Sequence, residues 1–279
     1  NFCQEIIASW SWLLDSVPPK RAQSMKTIDK AMNVLNLFTT EVPEFRLVDI
    51  ARVSGLDKVT ALRVLNSLVA GGRPEQHPET RKFRLGTAIL RLARIRETSF
   101  PLISTLQPIV DRLAEETGES GHASMASEAG LTTIALCEPN RSTRVWIDPT
   151  QVLPFHATAS GIAYLAHLPA SEADALLGRI SDRRYTDETA TPDQLRERIH
   201  DARRLGFACS IGGFEIDTAG FAAPVFDWHG KVMATIGLAC VRSRLDENNH
   251  DNLIRAVVKA ANAATKAFGG RLPLRDTCA

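Results

Sequence analysis

Nowhere in the 279 residues does an uncharged apolar run reach about 18, the length a spanning helix needs, so no membrane helix is expected. Cysteine is scarce and scattered. Cys3, Cys137, Cys209, Cys240 and Cys278 form an odd set with no C-x-x-C pair. That argues against a disulfide framework and against a zinc ribbon or finger, and it fits a reducing, cytoplasmic location. The phosphate-cradling pattern G-x-x-x-x-G-K-S/T is missing. Gly118-Glu-Ser-Gly121 fails as a G-x-S-x-G nucleophile elbow, because His122 takes the last place. His122, His156, His167, His200, His229 and His250 lack ligand spacing. Cys137, Cys209 and Cys240 fall among apolar neighbours, where a cysteine is more often a small buried hydrophobe than a nucleophile. Glu215 and Asp217 could form a general acid/base pair, but loop acids are ordinarily solvated. No catalytic residue, metal ligand or cofactor is therefore assigned, and a hydrolase remains only a formal alternative.

What is present is ordinary in bulk and uneven in distribution. The 44% apolar and 23% charged composition is globular. The length suits one large domain or two modest ones, and there is no internal repeat. The net charge of +1 hides an asymmetry: residues 20–97 carry 15 Lys/Arg against 8 Asp/Glu, residues 98–279 carry 18 against 22. A basic N-terminal third on an acidic remainder points to a polyanion-binding module joined to a second function. Uneven surface charge with no partner is the alternative.

Residues 1–24 read as an extension outside both domains. The Ile6–Leu14 stretch lacks the basic flank and small-residue site of a secretory signal, and Pro18-Pro19-Lys20-Arg21 reads as a linker. A short packing helix is the alternative there. From Met25 to Phe38 apolar residues recur at helical spacing. Leu47–Val53 makes a short second helix, stopped by Ser54-Gly55. Asp57 caps a third helix, Lys58–Ala70, which ends at Gly71-Gly72. After the proline-punctuated Arg73–Pro78 comes a short strand, Arg81–Leu85. Three helices closed by a strand pair is the layout of a winged helix-turn-helix.

Gly86–Arg96 is amphipathic, with Ile89, Leu90, Leu92, Ala93 and Ile95 among arginines, and reads as a connecting helix. Such an apolar stripe needs a partner, and a second copy of the chain supplies one. Beyond it, helices are expected at Phe100–Thr117, Gly161–His167, Ser171–Leu177, Pro192–Leu205 and Asn248–Phe268. Strands are expected at Gly121–Ser127, Thr132–Glu138, Arg144–Ile147, Gly220–Asp227 and Val232–Val241, with a hairpin turn at Trp228-His229-Gly230-Lys231. That mixture indicates an α+β domain with a mainly antiparallel sheet. The implied domains are 25–86 for the winged helix, 87–99 for the linker helix, 100–270 for the α+β domain and 271–279 for a tail.

On a wheel of the third helix, Leu62, Leu65, Leu68 and Val69 fall on one side, with Ala61 and Val64 flanking. Thr60, Arg63, Asn66 and Ser67 fall on the other, with Val59 at their edge. One face packs a core; the other offers a guanidinium, an amide and hydroxyls. Arg63 can grip guanine or a phosphate, and a major groove admits such a helix. Taken alone this could be a solvated face. The preceding short helix, the tight Ser-Gly turn and the basic surroundings favour DNA.

These stretches carry a resemblance. Met25-Lys-Thr-Ile-Asp-Lys-Ala-Met-Asn-Val-Leu35, Leu47-Val-Asp-Ile-Ala51, Ser54-Gly-Leu-Asp-Lys-Val-Thr60, Arg63-Val-Leu65 and Arg81-Lys-Phe-Arg-Leu-Gly86 resemble the DNA-binding domain of the IclR family of bacterial transcription factors. The likeness continues through Leu113-Ala-Glu-Glu-Thr-Gly-Glu119, Leu153-Pro-Phe-His-Ala-Thr-Ala-Ser-Gly161 and Ala222-Ala-Pro-Val-Phe226. It covers most of residues 25–270 in order. It implies a regulator that binds double-stranded operator DNA as a homodimer or homotetramer, through Arg46, Lys58, Val59, Thr60, Arg63, Ser67, Arg81 and Lys82. It also implies a C-terminal domain that senses a small organic acid. The alternative is a sensing protein that has lost specific DNA binding.

Three departures stand out. Gly72-Arg73-Pro74 occupies the place of an apolar pair at the wing's first strand, so a short or irregular wing is expected. Arg46 stands where a hydroxyl would cap the second helix, which trades a cap for a phosphate ligand. Gly237 and Ala239 stand where two serines are common, which enlarges the pocket or makes it less polar. The effector site is expected at Thr158, Ala159, Ser160, Gly161, Gly220, Gly237 and Ala239. There the start of a helix after His156-Ala-Thr-Ala-Ser-Gly161 would present free N–H groups to an anion.

Overall fold

The computed structural model describes residues 26–40, 42–127, 129–179 and 183–272; the N-terminal extension and residues 273–279 lie outside the described residues. The chain divides into two compact units, one ending at Ile95 and one beginning at Arg96.

In the first unit, α1 (Lys26–Leu35), α2 (Leu47–Ser54) and α3 (Lys58–Ala70) enclose Val34, Ile50, Val64, Leu65, Leu68 and Phe83. The α2–α3 turn is set by two local choices. Gly55 closes α2 in the left-handed region at φ 68°, and the Asp57 carboxylate accepts the Thr60 N–H at 2.9 Å to open α3. A small sheet completes the unit, in the order β1 (Glu44–Phe45), β3 (Phe83–Leu85), β2 (Pro74–Gln76). The wing is therefore short but regular. Pro74 is tolerated because it is the first residue of an edge strand, opposite Leu85, and Gly86 N–H extends the ladder to the Arg73 carbonyl. The wing strand starts at Phe83 rather than Arg81, because Arg81 has left-handed backbone at φ 58°.

α4 (Thr87–Ser99) has no buried residue; Leu90 is 70% and Ile95 50% exposed. In the second unit, α5 (Ile103–Thr117) leads into a five-stranded antiparallel sheet. Its order is β5 (Gly130–Cys137), β4 (Ser120–Ser127), β8 (Val232–Val241), β7 (Thr218–Phe226), β6 (Ala208–Ile211). One face packs on α5 and the long α9 (Glu247–Ala267), through Leu106, Val110, Phe221, Ile236, Leu238 and Val257. The other packs on α6 (Ala159–Ala166) and α8 (Pro192–Leu205), through Ala208 and Ala222 against Ile162, Ala163 and Leu195. α7 (Ala170–Leu177) lies between those two helices in sequence.

In the second unit one expected strand is absent, and one strand was not expected. Arg144–Ile147 forms no strand. Its in–out alternation is real, with Val145 and Ile147 at 9% exposure and Trp146 at 62%, but the Val145 carbonyl accepts from the Ser120 hydroxyl rather than from a ladder. Conversely, Ala208–Ile211 is an edge strand too short to stand out in the pattern.

Candidate functional site

The first site is the outer face of α3. Lys58, Val59, Arg63, Asn66 and Ser67 are exposed, while Ala61, Val64, Leu65 and Leu68 are buried. The core face is thus turned slightly from the wheel: Leu62 is 40% exposed and Ala61 is fully buried. Two hydroxyls on this face have internal work. Thr60 is half-buried, and its side chain and amide hold the Asp57 carboxyl below the usual carboxylate range. Ser67 donates back to the Arg63 carbonyl at 3.0 Å. Arg46 begins α2 with no side-chain cap. Among the described residues Arg46, Lys58, Arg63 and Arg81 make no ion pair, whereas Lys82 lies 3.7 Å from Glu44 and Arg84 2.7 Å from Glu75. The expected DNA contacts therefore divide into four unpaired cations, one partly neutralised lysine, one exposed apolar residue and two internally bonded hydroxyls.

The second site is a cavity of about 100 Å³ in the second unit. Its walls are the first turn of α6, the middle of the sheet and the loop around Trp146. Of the expected effector residues, Thr158, Ala159, Ser160, Gly220 and Ala239 line it. Gly161 and Gly237 do not. Gly161 is pressed against the Phe155 backbone, where a Cβ would have no room. Nor is Gly237 a void: a Cβ there would stand 2.8 Å from the His122 imidazole and 3.0 Å from the Ser160 hydroxyl. The imidazole already occupies the space that the glycine leaves.

The helix entrance is also more closed than the sequence implies. Thr158 caps α6, its hydroxyl accepting the Gly161 N–H at 3.1 Å and its carbonyl the Ile162 N–H at 3.0 Å. Those two N–H groups are not offered to a ligand; Ala159 and Ser160 remain at the cavity wall.

His122 is the residue that sequence reasoning missed. It lines the cavity from β4, and its Nε2 lies 3.0 Å from Ser160 Oγ. Burial pushes its pKa down to about 4, with no carboxylate beside it to oppose the shift. The signal was available: Ser120, His122 and Ser124 alternate along β4, and such a period-2 set points to one face of a sheet. The charged residues of the lining are Asp148 and Glu215, with neither lysine nor arginine. Asp148 Oδ1 is held by the Thr150 N–H at 2.8 Å and its hydroxyl at 2.7 Å. Asp217 is not part of the lining, so the candidate Glu215–Asp217 pair does not meet there. Burial raises the Cys240 thiol to about 11 and also raises Cys137 and Cys209. These thiols are poor nucleophiles at neutral pH. Among the described residues no three His, Cys, Asp or Glu side chains gather as metal ligands, and no helix is long and apolar enough to cross a membrane.

A helix-turn-helix in one unit and a cavity at a helix start in the other agree with the comparisons. Residues 27–77 match the IclR helix-turn-helix domain, and residues 97–266 match the bacterial transcriptional regulator IclR C-terminal domain. The transcriptional regulator XynR of Escherichia coli is 26% identical over 246 residues, 88% of this chain and 98% of that protein. The transcriptional repressor IclR of the same species is 24% identical, over 88% and 91%. Among solved structures, an IclR transcriptional regulator from Silicibacter sp. TM1040 superposes with a TM-score of 0.80 at 34% identity, over 89% of this chain and 98% of that one. An IclR homologue from Microbacterium hydrocarbonoxydans, solved with 4-hydroxybenzoate, has the same fold, with a TM-score of 0.74 at 22% identity over 87% and 98%. The two matched domains together span more than half of the sequence, and the chain belongs to the IclR family of bacterial transcriptional regulators.

Proposed function

We propose that this regulator binds operator DNA through α3 as a dimer or tetramer and senses a small organic acid in the cavity beside α6. The observation that carries the reading is the unpaired state of Lys58 and Arg63 on an exposed helix-turn-helix face, in a chain that also holds a side-chain-lined cavity. Arg63 is the base reader; Arg46, Lys58 and Arg81 meet phosphates, and Lys82 does so once it leaves Glu44. An aromatic or other carboxylic acid fits the small, mixed lining, in which Trp146, Phe214 and Phe221 supply ring surface. The Microbacterium structure solved with 4-hydroxybenzoate supports that class. Its carboxylate would lie towards Ala159 and Ser160 and away from Asp148 and Glu215. The helix dipole there contributes about 0.3–1 kcal/mol when exposed and up to ~2 when partly buried.

The exposed stripe Leu90, Leu92 and Ile95 on α4, with the half-exposed Ile89, is the surface for the second copy. A palindromic operator then matches two α3 helices about one DNA turn apart or a multiple of it. Ligand control is a population shift, in which the acid binds one arrangement of the DNA-binding units better than the other.

One observation favours a second reading, a sensor without sequence-specific DNA binding. Lys82 and Arg84 are paired internally, and Thr60 and Ser67 spend their hydroxyls within the unit. Gel retardation of genomic fragments, with and without benzoate or 4-hydroxybenzoate, tests both. A discrete fragment retarded, and changed by an acid, is the expected outcome. Uniform, salt-labile retardation of every fragment would leave the second reading standing.

A further inference from the structure

The cavity presents a charge problem to any carboxylate. Its formal charges are the two acids Asp148 and Glu215, and it offers no lysine or arginine. The α6 entrance gives only partial positive charge, and two of its N–H groups are already used inside the cap. A carboxylate brought out of water needs a better counter-charge than this.

His122 can supply one. Its imidazole is seated where Gly237 leaves room, and it is 7% exposed. Its Nε2 already meets the Ser160 hydroxyl, which lines the cavity at 3.0 Å from it. Its Nδ1 is buried and has no hydrogen-bond partner. One register row along the same sheet face stand three hydroxyls on adjacent strands: Ser124 on β4 pairs with Thr133 on β5 and with Thr235 on β8. All three oxygens are also buried and unpartnered. An imidazolium donates from both nitrogens, and a hydroxyl oxygen accepts. The row is therefore a bed of neutral acceptors beside a histidine that has an idle nitrogen.

Resting on the acid-sensing reading above, we propose that the effector enters this cavity together with a proton. His122 is neutral in the unliganded protein. As the carboxylate arrives at Ser160, the imidazole takes one proton from water and becomes the counter-ion. Nε2–H then donates to Ser160 Oγ, the Ser160 O–H donates to the carboxylate, and Nδ1–H is served by the hydroxyl row directly or through a bridging water. The imidazolium cancels the charge of the ligand carboxylate, so that pair adds no net charge to the cavity.

Other titratable groups near His122 are accounted for. Glu119, the residue before β4, is engaged by Arg244 at 2.6 Å and Arg141 at 3.4 Å. Cys137 on β5 and Cys240 on β8 are held protonated by burial. On α6, burial keeps Tyr164 protonated, while His167 Nδ1 lies 3.0 Å from the Ala163 carbonyl. Asp148 and Glu215 face the cavity from its loops, and variants of both are therefore included in the test.

The test is calorimetric titration of the full-length protein with benzoate, in buffers of different ionisation enthalpy, between about pH 6 and 8. The expected result is uptake of up to one proton per benzoate bound, with affinity rising by up to about tenfold per unit fall in pH. His122→Gln should abolish both the uptake and the pH slope while melting cooperatively. Asp148→Asn and Glu215→Gln should keep both. Benzoate binding to the parent with no proton uptake and a flat pH profile would overturn the proposal alone. Uptake that survives in His122→Gln and vanishes in Asp148→Asn or Glu215→Gln would overturn it too. Failure of benzoate and 4-hydroxybenzoate to bind at any pH would remove the acid-sensing reading and this proposal with it.

Discussion

Gly237 and His122 sit directly opposite each other on neighbouring antiparallel strands, and the imidazole fills the space over the glycine so closely that a Cβ would stand 2.8 Å from two of its atoms. A side chain at 237 would therefore act first on His122 and only through it on the cavity. Gly237→Leu should destabilise the second unit by about 1–3 kcal/mol through overpacking. His122→Ala in the same chain should return part of that loss, and the difference between single and double variants measures the coupling. Thermal melts of the four proteins check this. Strict additivity would mean that the two positions do not compete for space.

Burial of a neutral imidazole also has a signature in acid. The folded pKa of His122 is about 4, against an ordinary 6.5. Above pH 6.5 both folded and unfolded chains leave this group neutral, so it contributes nothing. As pH falls from there towards 4, the unfolded chain takes the proton and the folded one does not, and stability is lost on the order of 3 kcal/mol. His122→Gln should flatten that part of the unliganded stability profile. His167, which burial also lowers, is present in both proteins and cancels in the comparison. Parallel melting curves for parent and variant from neutral pH to about pH 4.5, most of the way through the window, would contradict the assignment.

How far the sequence carried this reading differs between the units. The Asp57 cap, the Gly55 stop and the apolar period of α3 are local signals, and the structure places α3 at Lys58–Ala70 as they predict. The cavity is a non-local object. In sequence, Gly237 reads as empty space, because nothing local says that a histidine more than a hundred residues away is register-paired with it. His122 was passed over for want of ligand spacing, a test that suits metals but not a lone polar residue on a sheet face. The Arg144–Ile147 segment shows the same limit: its alternation reports which side chains turn inward, but whether the backbone finds a ladder or a serine hydroxyl depends on Ser120.

Arg81 turns the wing in a left-handed conformation that costs an ordinary residue roughly 1–2 kcal/mol. Arg81→Gly should therefore raise the melting temperature of the first unit slightly, since glycine adopts φ near 58° without that penalty. If the side chain meets a phosphate, the same variant should weaken DNA binding and reduce the salt slope by about one. A more stable protein with poorer DNA binding is the expected combination. Unchanged affinity and slope would take Arg81 out of the interface.

On the proposed reading, the exposed face of α3 makes two kinds of contact. Arg63 lies in the second turn, unpaired and exposed, and is the base reader proposed above; Lys58 lies at the helix start and is the proposed phosphate contact. Arg63→Ala should cost about 1–3 kcal/mol on the operator and relax preference at one base pair. Lys58→Ala should weaken all sequences alike, and should make log affinity fall less steeply against log salt. Binding isotherms on operator and scrambled duplexes, each at several salt concentrations, distinguish the two. Equal, sequence-independent losses for both variants would reduce Arg63 to a phosphate contact, and the base reading would then have to come from another residue of α3, with Asn66 the next exposed donor along the helix.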